Sequence, residues 1–387
     1  MTAKRTARRG ARVRVGVVYG GRSVEHEVSL VSARAIMQAL DPKRYDVVPI
    51  GISRQGRWVI GKSHCALPPD PSVRGLVRLR NGGGAVQKGG GRAAHAAEGG
   101  ALKGRLDVVF PMVHGTGGED GSLQGLLELA GIPYVGAGVL GSAIGMDKAM
   151  MKVAFAQAGL PIVDHRVIRC SDLEQDRERF VRAVESAFGY PCFVKPANGG
   201  SSVGISKAKD RRGLEDGIDL AARYDRKVVV ERAVDGREIE CSVLGNDKPE
   251  ASVPGEIVPS NEFYDYRAKY IDTGSRLLIP APLSAEQAGR IRDLAVKAFR
   301  ALDLCGMARV DFFLDRTSEA IFVNEVNTIP GFTPISMYPK LWEASGVTFP
   351  ALVDRLVRLA LERHAEKKRL ITSYTPGRNG RRSLTKG

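Results

Sequence analysis

The sequence has little of what marks secreted, disulfide-stabilised or zinc-binding proteins. Its five cysteines, among 387 residues, lie far apart with no CxxC pair and no regular spacing. This pattern argues against a disulfide framework or a structural zinc site and fits a reducing cytosol. The basic start leads into a strand-like run at 13–18, much shorter than the apolar core of a secretory signal. We therefore expect a cytoplasmic location.

Long apolar runs are also scarce, and only one stretch is a candidate for a membrane helix. Residues 129–146 carry no charge and reach the minimum length for a membrane span. The stretch contains five glycines and a proline, with little leucine, isoleucine or phenylalanine. That composition predicts a strand and turns between domains. We expect no insertion into a membrane.

Acidic residues are outnumbered, which leaves a net charge of +15. Most of the excess lies at the ends, because residues 1–12 contribute +5 and residues 365–387 contribute +6. Basic arms can bind the phosphate backbone of nucleic acids. Segments of this composition are more often solvated, disordered tails, since they lack the apolar residues needed to fold. We expect no nucleic-acid partner, and a nucleic-acid-binding protein is kept as a rival interpretation.

The length suits two or three packed domains, and the predicted elements indicate an α/β fold that becomes α+β in the C-terminal part. A strand-like run at 13–18, a double glycine at 20–21 and a helical pattern at 28–40 are typical of an open parallel sheet with a ligand loop. Residues 81–104 are rich in glycine and alanine and predict an exposed loop. The other predicted elements are strands at 45–52, 106–113, 191–196 and 228–231 and helices at 148–158, 173–187, 285–302 and 349–367.

The strongest chemical signal is a predicted hairpin formed by the runs VDFFLD and NEVN. Folding it about residue 318 places Asp311 opposite Glu325, and the two-residue period of a strand puts Asn327 on the face of Glu325. Two carboxylates in an apolar sheet repel each other and lose solvation unless a cation is shared between them. Magnesium that bridges nucleotide phosphates prefers such oxygen ligands. A salt-bridged or edge-exposed carboxylate pair is the alternative.

Arg309 precedes Asp311 by two residues and so points to the same side of its strand. A cation in this place can stabilise negative charge that develops on a reacting oxygen. It can equally be a structural partner of Asp311 or Glu325. The spacing leaves both interpretations open.

Three glycine-rich segments suggest further ligand contacts. In FVKPANGGSSVG, Lys195 ends a strand before a Gly/Ser loop, which suits phosphate although the order differs from the Walker A pattern. In GGRSVEHEVSL, Glu25 can hold a substrate ammonium group or complement a helix dipole. In HGTGGEDGSLQG, His114 follows a strand and precedes a helix whose first turn suits an anion. A fourth segment, EFYDYRAKY, fits either stacking on single-stranded nucleic acid or a lid over a phosphate site.

Together these motifs closely resemble those of the D-alanine–D-alanine ligases of the ATP-grasp superfamily. The resemblance runs in family order from about Val13 to Leu361 and also covers MDK, VVVERAVDGREIECSVLG and NEVNTIPGFTPIS. It implies an ATP-grasp fold preceded by an N-terminal open parallel-sheet domain. The implied units are an N-terminal α/β domain with the basic leader, a central ATP-grasp subdomain, a C-terminal metal-binding subdomain and a basic disordered tail, at 1–140, 141–230, 231–366 and 367–387.

The resemblance implies that ATP is bound and that two magnesium or manganese ions are held in the site. Lysines would contact the phosphates, a glutamate and nearby backbone would read the adenine, and a second glutamate would bind the ribose. The implied nucleotide-binding set is Lys148, Lys195, Ser201, Glu231, Ala233, Val234, Glu238 and Asn324, and the implied metal ligands are Asp311, Glu325 and Asn327.

The resemblance also implies how two D-alanine molecules are held. Glu25 would grip the ammonium group of the first D-alanine and form a hydrogen-bonded triad with Ser201 and Tyr270. Lys269 and Ser336 would engage the carboxylate of the second D-alanine. Tyr270 favours an amine nucleophile over D-lactate and leaves D-serine open.

The remaining implied roles concern the reaction. His114 would lie near the first D-alanine, and Arg309 with the Gly331 backbone N–H would form the oxyanion site. The γ-phosphoryl group of ATP would pass to the first carboxylate, and the second amine would attack the resulting acyl phosphate. The expected outcome is D-alanyl-D-alanine for peptidoglycan precursors, made by a homodimer. The rival within the class is an ATP-grasp ligase for another carboxylate, against which the Glu25, Ser201 and Tyr270 set argues.

Overall fold

The computed structural model describes residues 12–60, 106–258 and 276–371. Helices and strands are both abundant in these ranges, and the predicted mixed α/β class is confirmed. The 81–104 loop, most of both basic ends, Lys269 and Tyr270 lie outside the described residues.

The first sheet is built from the N-terminal residues. It comprises β1 (Val13–Gly20), β2 (Tyr45–Ile52), β3 (Trp58–Ile60) and β4 (Val108–Met112), in the order β3-β2-β1-β4. The central strand β1 is parallel to both β2 and β4, so the predicted open parallel sheet is confirmed. Helix α1 (His26–Ala39) follows β1.

The turn between β1 and α1 requires glycine. Gly20 has φ +89°, and a Cβ there would lie 2.2 Å from the Ile52 carbonyl oxygen. Because only glycine tolerates both conditions, the chain can turn sharply at the edge of the sheet. Ser29 then holds α1 in place, since its hydroxyl accepts from the Gly20 N–H at 2.7 Å and donates to the Met112 carbonyl. This arrangement brings the first turn of α1 to the carboxyl ends of β1 and β4.

The second sheet is antiparallel. It comprises β5 (His165–Arg169), β6 (Cys192–Pro196), β7 (Ser206–Ala208) and β8 (Lys227–Arg232), in the order β5-β8-β6-β7. Two amphipathic helices, α5 (Cys170–Ala187) and α6 (Arg211–Ala222), bury their apolar stripes against it in a compact core.

The third sheet has six strands, more than either of the other two. It comprises β9 (Gly236–Gly245), β10 (Glu250–Ala251), β11 (Gly255–Val258), β12 (Arg276–Leu278), β13 (Gly306–Asp315) and β14 (Ile321–Asn327). Its order is β12-β11-β9-β13-β14, with β10 paired to β9. Helix α7 (Ala285–Ala301) packs on it and begins with a capping box.

The remaining described helices lie between the first and second sheets or follow the third sheet in sequence. They are α2 (Ser122–Ala130), α3 (Val139–Met146), α4 (Lys148–Gln157), α8 (Met337–Ala344) and α9 (Phe349–Lys367). Buried residues of α9 share one hydrophobic core with residues of β1 and β4, with Leu244 near the end of β9 and with Met307 near the start of β13. The first and third sheets are thus parts of one packed body. Among the described helices, none combines the length and the apolar character that crossing a membrane would require.

The prediction of a strand and turns over 129–146 is wrong for its second half, because residues 139–146 form helix α3. A Cβ at Gly141 would lie 2.9 Å from the Leu302 carbonyl oxygen, and one at Gly145 would lie 2.8 Å from the Thr328 methyl group. These glycines therefore permit close packing of a helix rather than turns. Tertiary contact outweighs their low helix propensity.

Candidate active site

A cavity of about 620 Å³ is lined by segments that adjoin all three sheets. Nine of the predicted site residues line it: Glu25, His114, Lys148, Ser201, Arg309, Glu325, Asn327, Gly331 and Ser336. Seven others lie outside its lining: Lys195, Glu231, Ala233, Val234, Glu238, Asp311 and Asn324. The structure thus gathers segments more than 300 residues apart in sequence around one cavity.

The predicted hairpin is confirmed in its register. In the antiparallel pairing of β13 with β14, Asp311 lies opposite Glu325 and Arg309 lies opposite Asn327. The strand alternates as expected, since Val310 is fully buried in the core while its neighbours are only partly buried. The polar face of the hairpin is therefore the face that meets the cavity.

The donor set on this face fits a hard cation. Asp311 and Glu325 supply carboxylates and Asn327 supplies an amide oxygen, which are ligands that magnesium and manganese prefer. Within residues 12–60, 106–258 and 276–371, no group of three or more His, Cys, Asp or Glu side chains is placed to hold a metal ion. An ion held by the hairpin would therefore depend on the amide and on oxygens of its ligand, as is usual for magnesium bound to nucleotide phosphates.

Arg309 is a structural partner of Asp311, one of the two interpretations that its spacing left open. Its Nε and Nη2 donate to the two carboxylate oxygens of Asp311, each at 2.7 Å, and the residue also lines the cavity. Burial would lower the pKa of Arg309, but the charges of Asp311 and Glu240 outweigh it and hold the pKa well above its usual value. The cation is thus permanent and oriented by a two-point contact.

Glu240 is a site residue that the sequence reading missed. It lies opposite Asp311 in the β13–β9 register, is only 5% exposed, and has its Oε2 3.0 Å from Arg309 Nε. Its two-residue spacing from Glu238 on one strand was the available signal.

Lys148 joins two segments of the cavity wall. It is the first residue of α4, and its Nζ lies 3.2 Å from Glu325 Oε2. The same Nζ donates to the Gly199 carbonyl at 3.0 Å. Asp147 caps the helix by accepting from the backbone N–H groups of Ala149 and Met150. The cap fixes the lysine beside the carboxylate hairpin.

Glu231, Lys195 and Lys152 form a buried ion cluster. Glu231 is 2% exposed, with one oxygen 2.8 Å from Lys195 Nζ and the other 3.0 Å from Lys152 Nζ. Burial would raise the pKa of Glu231, but the two lysines outweigh it and lower the pKa, so the carboxylate is ionised. Burial would likewise lower the pKa of Lys195, and the charges of Glu231 and Glu325 instead raise it.

Lys152 was also not anticipated as part of the site. It is 1% exposed, and burial lowers its pKa although Glu231 opposes the effect. Its position four residues after Lys148 places both lysines on one face of α4, which was the available signal. Of the other predicted nucleotide contacts, Ala233 and Val234 follow β8, Glu238 lies on β9 and Asn324 lies on β14.

Glu25 meets Ser201 across 176 residues of sequence. Glu25 is the N-cap of α1 but makes no side-chain capping bond, and its Oε1 instead accepts the Ser201 hydroxyl. Ser201 has φ +51°, an unusual backbone conformation for a residue with a side chain, and such strain is concentrated at functional sites. The contact brings together two members of the predicted triad. The third, Tyr270, lies outside the described residues.

His114 also lines the cavity, next to Gly115, where a Cβ would lie 3.5 Å from Glu25 Oε2. Its Nδ1 is 3.0 Å from the Ile329 carbonyl, so Nδ1 carries the proton and Nε2 has the lone pair. Burial lowers the pKa of His114, against smaller raising effects of Glu25 and the Ile329 carbonyl. The ring is therefore neutral at physiological pH and is oriented by backbone.

Glu119 is, after Glu240, a second unanticipated residue that lines the cavity. It is 8% exposed, and its Oε2 accepts from the Gly115 N–H at 2.6 Å. Burial, and then the charge of Glu25, raise the pKa of Glu119 to about 8. Its place five residues after His114 in a glycine-rich loop offered no periodic signal.

The pKa of Glu119 predicts how stability varies with pH. The folded chain binds this proton more tightly than the unfolded chain, whose glutamate has a pKa of 4.5, so the stability contribution is lost as pH rises from about 4.5 to 8. The slope is about 1.4 kcal/mol per pH unit for one group. We expect the Tm of the wild-type protein to fall by a few °C relative to Glu119→Gln between about pH 5.5 and 8. Differential scanning calorimetry of both proteins measures this, and parallel curves would contradict it.

The loop after β14 completes the cavity. Gly331, Thr333 and Ser336 line it, and the Ser336 hydroxyl accepts from the Thr333 N–H at 3.0 Å. Ser336 is the N-cap of α8 without a side-chain cap of its own helix. Gly331 and Ser336 of this loop thus border the same cavity as Arg309.

A carboxylate hairpin beside Lys148 of α4 and near Lys195 of the second, antiparallel sheet, together with an N-terminal parallel sheet, is the arrangement of an ATP-grasp ligase. Family models described as "D-ala D-ala ligase N-terminus" and "D-ala D-ala ligase C-terminus" match residues 14–137 and 154–358. The chain belongs to the D-alanine–D-alanine ligase family.

Individual relatives agree with the family models. The chain is 48% identical over 379 residues to the D-alanine–D-alanine ligase of Natranaerobius thermophilus, covering 94% of this chain and 99% of the relative. It is 49% identical over 365 residues to that of Geobacillus kaustophilus, covering 94% and 98%.

Solved structures show the same fold. The D-alanine-D-alanine ligase from Coxiella burnetii superimposes with a TM-score of 0.73 at 36% identity, covering 92% of this chain and 96% of that chain. The VanG D-Ala:D-Ser ligase from Enterococcus faecalis gives 0.75 at 34% identity, covering 90% and 100%. The predicted ATP-grasp fold is confirmed.

Proposed function

We propose that this protein joins two D-alanine molecules into D-alanyl-D-alanine with ATP, releasing ADP and phosphate. The observation that carries the proposal is the cavity in which Glu25 and Ser201 face the hairpin of Arg309, Glu325 and Asn327. An ammonium-binding carboxylate and a phosphate-binding face thus share one space. Relatives named D-alanine–D-alanine ligase at 48–49% identity over almost their full length support the same reaction.

The chemistry follows from the inertness of a carboxylate. An amide forms at a useful rate only if the carboxylate is first activated, so the γ-phosphoryl group of ATP passes to the first D-alanine and gives an acyl phosphate and ADP. The amine of the second D-alanine, having lost a proton, attacks the acyl carbon. The tetrahedral intermediate then expels phosphate and leaves the dipeptide. Water must be kept out, because acyl phosphates hydrolyse.

The phosphate side of the cavity is assigned to the lysines and the hairpin. Lys148 and Lys195 are proposed to contact the ATP phosphates, with Ser201 and Asn324 alongside. Asp311, Glu325 and Asn327 would hold two magnesium or manganese ions, which neutralise charge on the transferred phosphoryl group. The ion-paired Glu231, with Ala233 and Val234, would bind the adenine and Glu238 the ribose.

The substrate side is assigned to the N-terminal loops and the loop after β14. Glu25 is proposed to hold the ammonium group of the first D-alanine, with Ser201 and His114 beside it. Arg309 and the Gly331 N–H would stabilise the oxyanion. Ser336 would bind the carboxylate of the second D-alanine. Lys269 and Tyr270, outside the described residues, keep the roles implied for them.

The setting of the reaction is also a proposal. We propose a cytoplasmic homodimer that supplies peptidoglycan precursors, without nucleic-acid partners. The division into 1–140, 141–230, 231–366 and 367–387 stays a prediction, as does the absence of a role for the basic ends.

The test is a phosphate-release assay with the purified full chain, ATP and magnesium. We expect D-alanine to elicit phosphate release and a matching amount of dipeptide, detected by mass spectrometry, and L-alanine to elicit neither. Phosphate release only with an unrelated carboxylate would refute the proposal in favour of another ATP-grasp ligase.

A second candidate is a mixed ligase that uses D-serine as the second substrate. It is favoured by the structural similarity to a D-Ala:D-Ser ligase at a TM-score of 0.75. Supplying D-alanine and D-serine together separates the two, because the mixed dipeptide differs in mass from D-alanyl-D-alanine. A predominantly mixed product at equal concentrations would favour this candidate.

A further inference from the structure

The Ile329 backbone is held by one remote loop. His114 Nδ1 donates to the Ile329 carbonyl at 3.0 Å. The Ile329 N–H lies close enough to the Glu119 carboxyl group to lower its pKa, against the larger raising effects of burial and Glu25. The two residues precede Ile329 by more than 200 positions. A buried carbonyl that accepts from a fixed side chain leaves its backbone little freedom to move.

The loop that holds Ile329 is itself fixed. Glu119 Oε2 accepts from the Gly115 N–H at 2.6 Å, and the Glu119 N–H donates to the Gly115 carbonyl at 2.9 Å. Gln124, on α2, donates to the Gly118 carbonyl at 2.8 Å from a buried position. Glu119 thus projects from a closed turn anchored to the first turn of a helix.

The loop that contains Ile329 is also anchored at Phe332. Three residues beyond Ile329, the Phe332 N–H donates to the Ser32 hydroxyl at 3.2 Å, and the Phe332 ring packs edge-on against Phe110 with centroids 5.9 Å apart. Gly331 lies between these two anchors and lines the cavity with Arg309. The direction of its N–H is therefore set by the peptides on either side.

We propose that Glu119 is a positioning residue of the ligase reaction. By closing the turn that carries His114, it acts through the hydrogen bond from His114 to the Ile329 carbonyl to aim the Gly331 N–H at the reacting carbonyl oxygen. The inference rests on the proposed function, in which that N–H and Arg309 form the oxyanion site. It assigns a role to a buried carboxyl group that the mechanism otherwise leaves unused.

The expected effect is on the chemical step. A displacement of about 1 Å at a reacting centre can cost about 10²-fold in rate. Glu119→Ala removes the acceptor of the Gly115 N–H and so loosens the turn that carries His114, and kcat should fall by about 10²-fold. Glu119→Gln retains an amide oxygen that can accept from the Gly115 N–H, so kcat should fall only about 10-fold. The KM for ATP should stay within about twofold, since Glu119 has no contact with Lys148 or Lys195.

The experiment compares these variants with Asp120→Asn and the wild-type protein in the D-alanine-dependent phosphate-release assay. Asp120 is a matched control, because its carboxylate also accepts loop N–H groups, from Gly117 at 2.8 Å and Ser122 at 3.0 Å, but does not line the cavity. We expect its kcat within about twofold of wild type. Calorimetric titration with ADP and magnesium measures the fraction of sites that are intact in each protein.

The outcomes separate the inference from the proposed function. The positioning role is supported if Glu119→Ala lowers kcat more than Glu119→Gln does. It also requires that both variants keep the wild-type ADP-binding stoichiometry and that Asp120→Asn stays active. The inference is overturned if the kcat of Glu119→Ala is within twofold of wild type. It is also overturned if the fall in kcat is matched by an equal fall in the number of ADP-binding sites, or if Asp120→Asn lowers kcat equally. A wild-type protein that shows no D-alanine-dependent turnover overturns the proposed function itself.

Discussion

Glu325→Gln is expected to lower D-alanine-dependent phosphate release by about 10³-fold or more. Glu325 lines the cavity, pairs with Asp311 in the hairpin register and lies 3.2 Å from Lys148. Removing its charge weakens the proposed ion site, whose electrostatic contribution to the transition state is several kcal/mol, and several kcal/mol correspond to about 10³-fold. Glu325→Ala should be at least as damaging. Both should remain folded, because the side chain is a quarter exposed.

Glu128→Gln is the matched control for this substitution. Glu128 pairs with Lys367 at 2.6 Å and is 27% exposed, close to the 25% of Glu325, but it lies outside the cavity lining. We expect wild-type turnover from it. A second measurement is the rise in Tm on adding magnesium and ADP, which should be smaller in Glu325→Gln than in wild type. Full turnover of Glu325→Gln at saturating magnesium would contradict the assignment.

Arg309→Lys should lower kcat by about 10²–10³-fold, the usual cost of losing an oxyanion donor. The substitution keeps a positive charge but cannot reproduce the two-point contact with Asp311, so the remaining ammonium is not directed into the cavity. Because the pKa of Arg309 is held well above its usual value, the wild-type activity should not depend on titration of this group.

Arg237→Lys tests whether loss of such a contact is damaging anywhere in the third sheet. Arg237, on β9, donates to both oxygens of Glu256 at 2.9 and 2.7 Å, the same geometry as Arg309 with Asp311, and is absent from the cavity lining. We expect a kcat near wild type for Arg237→Lys, measured by steady-state phosphate release. Equal losses in the two variants would show that the effect of Arg309 is on folding rather than on the reaction.

The features that could be predicted from the sequence are those set by residues close together along the chain. The hairpin register was predictable, because the two-residue period of strands and a short turn decide which side chains are opposite. Helix α9 and strand β2 were likewise predicted with the bounds that the structure shows, since continuous apolar periodicity marks them. The order of the motifs along the chain was sufficient to predict the protein family.

Other parts depended on contacts between distant segments. Helix α3 was misread, because its glycines look like turn residues until Leu302 and Thr328 are seen against them. Glu119, Glu240 and Lys152 were missed for the same reason. Their importance comes from burial beside charged partners, and no local pattern states which partner a residue will meet.

The sequence alone determined the class of fold, the carboxylate hairpin and the set of candidate residues, because these follow from local periodicity and ordered motifs. Only the tertiary structure decided that Glu25 meets Ser201, that Arg309 is oriented by Asp311 and Glu240, and that His114 holds the Ile329 carbonyl. The physical reason is that hydrogen bonds and ion pairs act over a few ångströms in space, whereas their partners here are up to some two hundred residues apart along the chain.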